Sequence, residues 1–180
     1  MSSHKLVRKV HLVLIALIST LVISSPSISN HGYFDITKVV YGQPVPDQMN
    51  SNTTNSVNMQ DIPLEKVRVG DIDVAYKMFG QGDPIILFNG ASDGMDAWDP
   101  SFLTGLSSNH TVIAFDSRGI GNTTAGSKPY TMQQLANDTA GLLDALKIPK
   151  ADVMGYSLGS NTTQAFTISH PEKVNSLILI

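Results

Sequence analysis

Apolar residues along this chain fall into short continuous runs, separated by polar connectors rich in glycine, and the runs carry two different periods. Ile85 to Phe88 is apolar at every position, and the stretches Thr111–Phe115 and Asp152–Met154 repeat the pattern more briefly. A strand without polar alternation is buried on both faces, as in a parallel sheet. Between the second and third of these runs, Met132, Leu135, Thr139, Leu142, Leu143 and Leu146 lie on one stripe at helical spacing. Thr131 and Gln134 form a capping box ahead of that helix, and Pro149 ends it. Shorter helices are predicted over Ser101–Leu106 and Ser160–His170. Glu65–Val69 and Ile72–Phe79 flank Gly70 and Asp71 as a hairpin, and Val174–Ile180 is a last strand. Strands alternating with helices predict βαβ units with right-handed crossovers. The expected fold class is therefore α/β, with a mostly parallel central sheet flanked by helices.

Upstream of Pro63 this pattern stops. Residues 30–62 are polar, rich in Asn, Ser, Gln and Pro, and cannot bury enough apolar surface to offset their ordering entropy, so a disordered linker is expected there. Residues 1–29 read as a targeting segment: Lys5, Arg8 and Lys9 precede an apolar run from Leu12 to Ile23, and small residues follow from Ser24 to Ser29. That run is shorter than the roughly 20 residues of a comfortable membrane span. A cleaved signal peptide is the expectation, with an uncleaved anchor as the alternative, and both place residues 63–180 outside the cytoplasm.

With a formal charge of -3 and no basic cluster in the folded part, no nucleic-acid partner is expected. The absence of cysteine excludes a disulfide framework and a thiolate nucleophile or metal site. No metal and no cofactor is expected.

The chemistry concentrates at Gly155, Tyr156, Ser157, Leu158 and Gly159, a G-x-S-x-G pattern between a predicted strand and a predicted helix. In that context the motif is a nucleophile elbow: the serine sits on a strained turn, and the glycines two residues either side allow close backbone approach. The helix behind Ser157 turns its N-terminus toward the hydroxyl, so free N–H groups face a developing oxyanion, with Leu158 N–H as the first donor. Asp116, Arg118, Gly119 and Gly121 read as turn structure rather than a phosphate loop, since neither G-x-x-x-x-G-K-[ST] nor a helix-opening G-x-G-x-x-G is present. Asp93 and Asp96 read as loop carboxylates that rim the pocket, and Trp98 as packing beneath the loop.

Taken together, four blocks in this order resemble the N-terminal part of an α/β-hydrolase fold enzyme: Pro84–Trp98, Phe115–Gly121, Met154–Gly159 and His170–Ile180. The resemblance implies that Ser157 is the nucleophile, and that Leu158 and Ala91 supply the two backbone donors of the oxyanion hole. Asn89 stands where the family commonly has His before Gly90; its amide can still hold the loop by hydrogen bonds. Asn89, Gly90 and Tyr156 are the candidates for contact with a small-molecule ester or acyl substrate. A serine at position 157 argues against the branches of the family that use a carboxylate nucleophile.

A serine hydroxyl needs a positioned His and an acid to orient it, and in this fold both follow the serine in the chain. After Ser157 the sequence holds only His170 and Glu172. His170 ends the helix that leaves Ser157, roughly 20 Å away at 1.5 Å per residue, and is not the base. The expectation is a hydrolase domain cut after about six of the family's eight strands, poorly soluble and inactive alone, with Ser176–Ile180 as an uncovered apolar edge. Two functions fit: a serine hydrolase acting on carboxylic esters through an acyl-enzyme, or a non-catalytic binding or receptor domain on the same scaffold.

Overall fold

A computed structural model of the chain describes residues 56–180 and the backbone of two short strands, β1 (Leu21–Ser24) and β2 (Val39–Tyr41). The rest of the expected targeting segment and linker lies outside the described residues. The elements that follow are β3 (Glu65–Val69), β4 (Ile72–Gly80), β5 (Asp83–Phe88), α1 (Pro100–Ser107), β6 (His110–Phe115), α2 (Met132–Ala145), β7 (Ala151–Gly155), α3 (Leu158–Ser169) and β8 (Val174–Leu179). They form one sheet in the order β2-β1-β8-β7-β5-β6-β4-β3.

The four strands β5 to β8 run parallel, and the hairpin β3–β4 joins them antiparallel along β6. This is the α/β architecture that the continuous apolar runs predict. Chain order places a switch at its centre, because β5 leads through α1 to β6 on one side, whereas β7 leads through α3 to β8 on the other. In open α/β sheets, ligands usually bind at the carboxyl ends of the strands beside such a switch.

Alternation along the strands divides the core in two. Ile86, Phe88, Ile113, Phe115 and Val153 face α2 and α3, while Ile85, Leu87, Val112, Ala114 and Met154 face α1. All ten are buried. Thr131 Oγ1 accepts the Gln134 N–H at 3.1 Å, one half of the expected capping box, while the Gln134 side chain turns to Asp138 Oδ1 at 2.8 Å instead of reaching back. Asp99 caps α1 in the same way, accepting from the N–H groups of Ser101 and Phe102 at 2.9 Å each.

Two expectations are corrected. The ordered fold begins before Pro63: Met59, in a 3₁₀ turn at Met59–Asp61, is buried, and Val57 and Ile62 pack against the same cluster as α1. Residues 57–62 therefore lie on the domain rather than in a linker, held by the Val57 N–H to Thr104 Oγ1 at 2.7 Å and by Lys77 Nζ to Met59 O at 2.7 Å. Nor is the last strand an uncovered edge, since β1 pairs antiparallel along it from Leu21↔Leu179 to Ser24↔Ser176. An edge row of free N–H and C=O groups favours such pairing with any extended segment within reach.

Candidate active site

Ser157 occupies the turn between β7 and α3 with φ 53° and ψ -117°, a conformation that side chains avoid unless the surroundings enforce it. The enforcement is visible on both sides. Tyr156 N–H donates to Phe88 O of β5 at 3.0 Å, and Ser157 N–H donates to Ile180 O beyond β8 at 2.9 Å. Ser160 Oγ then ties Gly155 O and Ile180 O together at 2.8 and 2.9 Å. Glycine is required on either side of the serine for the reason the sequence suggests. A Cβ on Gly155 would come within 2.6 Å of the backbone of Gly159 and Ser160, and one on Gly159 would run into the carbonyl groups of Phe88 and Asn89.

The structure brings Asn89, Gly90, Tyr156, Ser157 and Leu158 together at the switch between β5 and β7, with Ala91 next along the loop from β5. Ser157 is exposed at the N-terminus of α3. Among the described residues neither Leu158 N–H nor Ala91 N–H donates to another protein group. Gly159 N–H and Ser160 N–H, by contrast, close tight turns onto Tyr156 O and Ser157 O. Two unengaged donors near the end of a helix dipole suit a negatively charged oxygen.

Asn89 is joined to the neighbouring strand. Its Nδ2 donates to Phe115 O at 3.3 Å and to Asp93 O at 3.4 Å, while its Oδ1 is buried without a partner among the described residues. Asp116 secures the loop from β5 at its far end: Oδ1 accepts Met95 N–H at 2.7 Å and Oδ2 accepts Asn122 N–H at 2.8 Å. Asp96 is paired with Lys77 Nζ at 2.8 Å, whereas the exposed Asp93 carboxylate has no ion pair among the described residues. Trp98 stacks on Phe102 at 5.6 Å and meets the edge of Tyr156 at 6.4 Å. The Trp98 indole nitrogen is buried and unpartnered among the described residues.

His170 caps the distant end of α3, where its Nε2 meets Asn137 Oδ1 at 3.0 Å. His110 opens β6 at the opposite margin of the sheet, its Nε2 lying 3.8 Å from Asp152. Neither histidine approaches Ser157. An open groove of about 370 Å³ lies along β4 between Lys77, Asp96, Asn122 and Leu64, and Ser157 does not line it.

Two charged residues whose burial the sequence does not show prove to be enclosed. Lys77 is enclosed on β4, and Arg118 lies under the loop after β6, bonded to Asp71 and Asp138. The β-rich composition around Lys77 gives no sign of this; for Arg118, its place in the Gly-rich block was the available signal.

Compared with known proteins, residues 83–180 match the model of a family described as alpha/beta hydrolase fold. The 3-oxoadipate enol-lactonase 2 of Acinetobacter baylyi is 34% identical over 111 residues, covering 61% of this chain and 41% of the relative. The 2-hydroxy-6-oxo-2,4-heptadienoate hydrolase of Pseudomonas putida is 32% identical over 120 residues, covering 63% and 42%. Among solved structures, an alpha/beta hydrolase fold protein from Chitinophaga pinensis superposes with a TM-score of 0.60 at 29% identity, covering 63% of this chain and 42% of that one. The chain thus spans about two fifths of the length of these relatives.

Proposed function

The chain belongs to the alpha/beta hydrolase fold family, and from that premise we propose that it carries the nucleophile and oxyanion half of a serine hydrolase that cleaves carboxylic esters. The observation that carries the reading is the enforced backbone of Ser157, φ 53° and ψ -117°, at the exposed N-terminus of α3. Strain of this kind persists where neighbouring structure over-determines it, and it concentrates at functional sites.

In this reading Ser157 Oγ attacks the ester carbonyl carbon as a histidine base takes its proton. The carbonyl oxygen becomes an oxyanion held by Leu158 N–H and Ala91 N–H, each such donor contributing about 10²–10³ in rate. The intermediate collapses, the alcohol departs with the proton from the histidine, and an acyl-enzyme remains. Water then attacks that ester, the histidine again taking a proton, and the carboxylic acid leaves. Asn89 fixes the donor loop through its bond to Phe115 O. Among the described residues His110 and His170 both stand away from Ser157, so in this reading neither serves as the base. An enol-lactone is a cyclic ester, so the name of one relative supports this substrate class. The reading also includes export, with residues 1–29 as signal or anchor; cleavage would remove β1 and with it the pairing along β8, and fractionating cells and measuring the mass of the mature N-terminus checks it.

Labelling by a fluorophosphonate tests the proposal. Wild-type protein in its full natural length is expected to be labelled and Ser157→Ala not. A folded protein that resists labelling, as an unactivated serine would, favours instead the non-catalytic binding domain, a reading that the lack of a nearby histidine among the described residues keeps open.

A further inference from the structure

Two side chains converge on the position a Gly90 side chain would take. A Cβ placed there would lie 2.9 Å from Asp93 Oδ2 and 3.3 Å from Tyr156 Cδ1, so the carboxylate and the phenol ring flank the glycine that precedes Ala91. Tyr156 is 48% exposed although it adjoins Ser157. Its ring is nevertheless backed, because Trp98 meets it at 6.4 Å and 67°, and Trp98 itself lies on Phe102 at 5.6 Å and 25°. Such a backed ring offers apolar area beside the nucleophile with little further entropy to lose on binding. Its hydroxyl takes no partner among the described residues.

The charge beside this ring is unbalanced. Asp96 is paired with Lys77 and Asp99 is committed to the cap of α1, but the Asp93 carboxylate has neither an ion pair nor a hydrogen bond among the described residues. An exposed charge acts over roughly 8 Å at physiological salt, a range comparable to the size of a small acyl group.

We propose that Asp93 and Tyr156 form a specificity filter at the oxyanion loop, favouring esters with a flat, uncharged or cationic group there over esters with a free carboxylate. The filter rests on Ser157 being the nucleophile. Tyr156 supplies a face for a planar group, and Asp93, exposed beside Gly90, repels a free carboxylate carried by the acyl group. Both are specificity-determining contacts, and neither moves a proton.

Kinetics of the full-length protein on three esters of one phenol test this: a benzoate, a cyclohexanecarboxylate of similar volume, and a hemisuccinate. Asp93→Asn is expected to raise the hemisuccinate-to-benzoate ratio of kcat/KM about three- to tenfold, an effect that fades at high salt. Tyr156→Ala is expected to lower the benzoate-to-cyclohexanecarboxylate ratio about two- to tenfold, and Tyr156→Phe to keep it. Ratios unchanged by these variants, in a protein whose hydrolysis depends on Ser157, overturn the filter and leave the nucleophile standing. Loss of all ester hydrolysis and of fluorophosphonate labelling in folded wild-type protein overturns both.

Discussion

Arg118 holds Asp138 by two parallel hydrogen bonds of 2.8 Å, Nε to Oδ2 and Nη2 to Oδ1, with the arginine side chain wholly buried. Its remaining edge takes Asp71, Nη2 to Oδ1 at 2.8 Å and Nη1 to Oδ2 at 3.1 Å. One guanidinium therefore joins the β3–β4 turn, the loop after β6 and helix α2. Its pKa is held above the ordinary arginine value, chiefly by the hydrogen bonds it donates to Asp138 and then by those it donates to Asp71. Removing one partner of a buried pair strands the other, at a cost of about 3–5 kcal/mol. Arg118→Met is expected to lose stability on that scale in urea unfolding. Arg118→Lys should lose most of it too, because an ammonium cannot serve two carboxylates as a planar fork.

The same cluster sets an acid response. The Asp71 carboxyl is held well below the usual carboxylate range, first by the Arg118 hydrogen bond and then by the Ser127 backbone N–H. A depressed folded-state pKa gives stability that is fully present above the unfolded value, about 3.9, and that fades as pH falls toward the folded value. The urea-midpoint gap between wild type and Asp71→Asn should be constant from neutral pH to about pH 5 and narrow steadily below about pH 4. A gap independent of pH down to strong acid would remove Asp71 from this role.

Replacing the strained serine separates strain from chemistry. Both Ser157→Ala and Ser157→Gly remove the hydroxyl and should abolish labelling. Only glycine accepts φ 53° and ψ -117° without a Cβ penalty, so Ser157→Gly is expected to exceed Ser157→Ala in stability by about 1–3 kcal/mol. Denaturant midpoints of the two variants give the comparison directly.

Gly159→Ala addresses the close approach of α3 to the end of β5. The added methyl meets the Phe88 and Asn89 carbonyls, which are backbone and cannot rotate aside. A destabilisation of about 1–3 kcal/mol is expected, and fluorophosphonate labelling should fall by more than that stability loss alone explains, since Leu158 N–H moves with the helix. Gly105→Ala, where nothing lies within 4 Å of the new methyl, is the control.

Lys77 joins the segment before Pro63 to the loop that follows β5. Its Nζ donates to Met59 O at 2.7 Å and to Asp96 Oδ1 at 2.8 Å. Lys77→Met should release residues 57–62, seen as faster amide hydrogen exchange there, while α2 and α3 keep their protection. Equal protection of residues 57–62 in both proteins would show that the apolar contacts of Met59 suffice.

Much of this arrangement was legible in the sequence because its causes are local. Ile85–Phe88 could only be a strand covered on both faces, Thr131 and Gln134 announced the start of α2, and glycine at 155 and 159 around Ser157 declared the turn between β7 and α3. The charges escaped because their partners are distant: Asp71 is 47 residues from Arg118, and Asp138 is 20. No window along the chain shows that pairing. Lys77 was hidden differently, since Val74, Ala75 and Tyr76 before it on β4 are buried while Met78 after it is exposed, and a lysine between them carries no mark of its enclosure. Residues 57–62 misled through composition. Their polar residues face outward while Met59 alone is deeply buried, and a single anchoring side chain leaves no periodicity to read.

The hydrogen bond from Ser157 N–H to Ile180 O also has a consequence in time. The turn is held from one side by Phe88 and from the other by Ile180, so its partners lie 68 residues upstream and 23 downstream of the residues they bind. Until β8 docks, the Ile180 half of this hold is missing and Ser157 is freer to relax toward an ordinary backbone. Contacts of such sequence separation form late, because closing the loops costs entropy before any contact compensates. During folding, the serine acquires its poised geometry only once the surrounding sheet has been assembled.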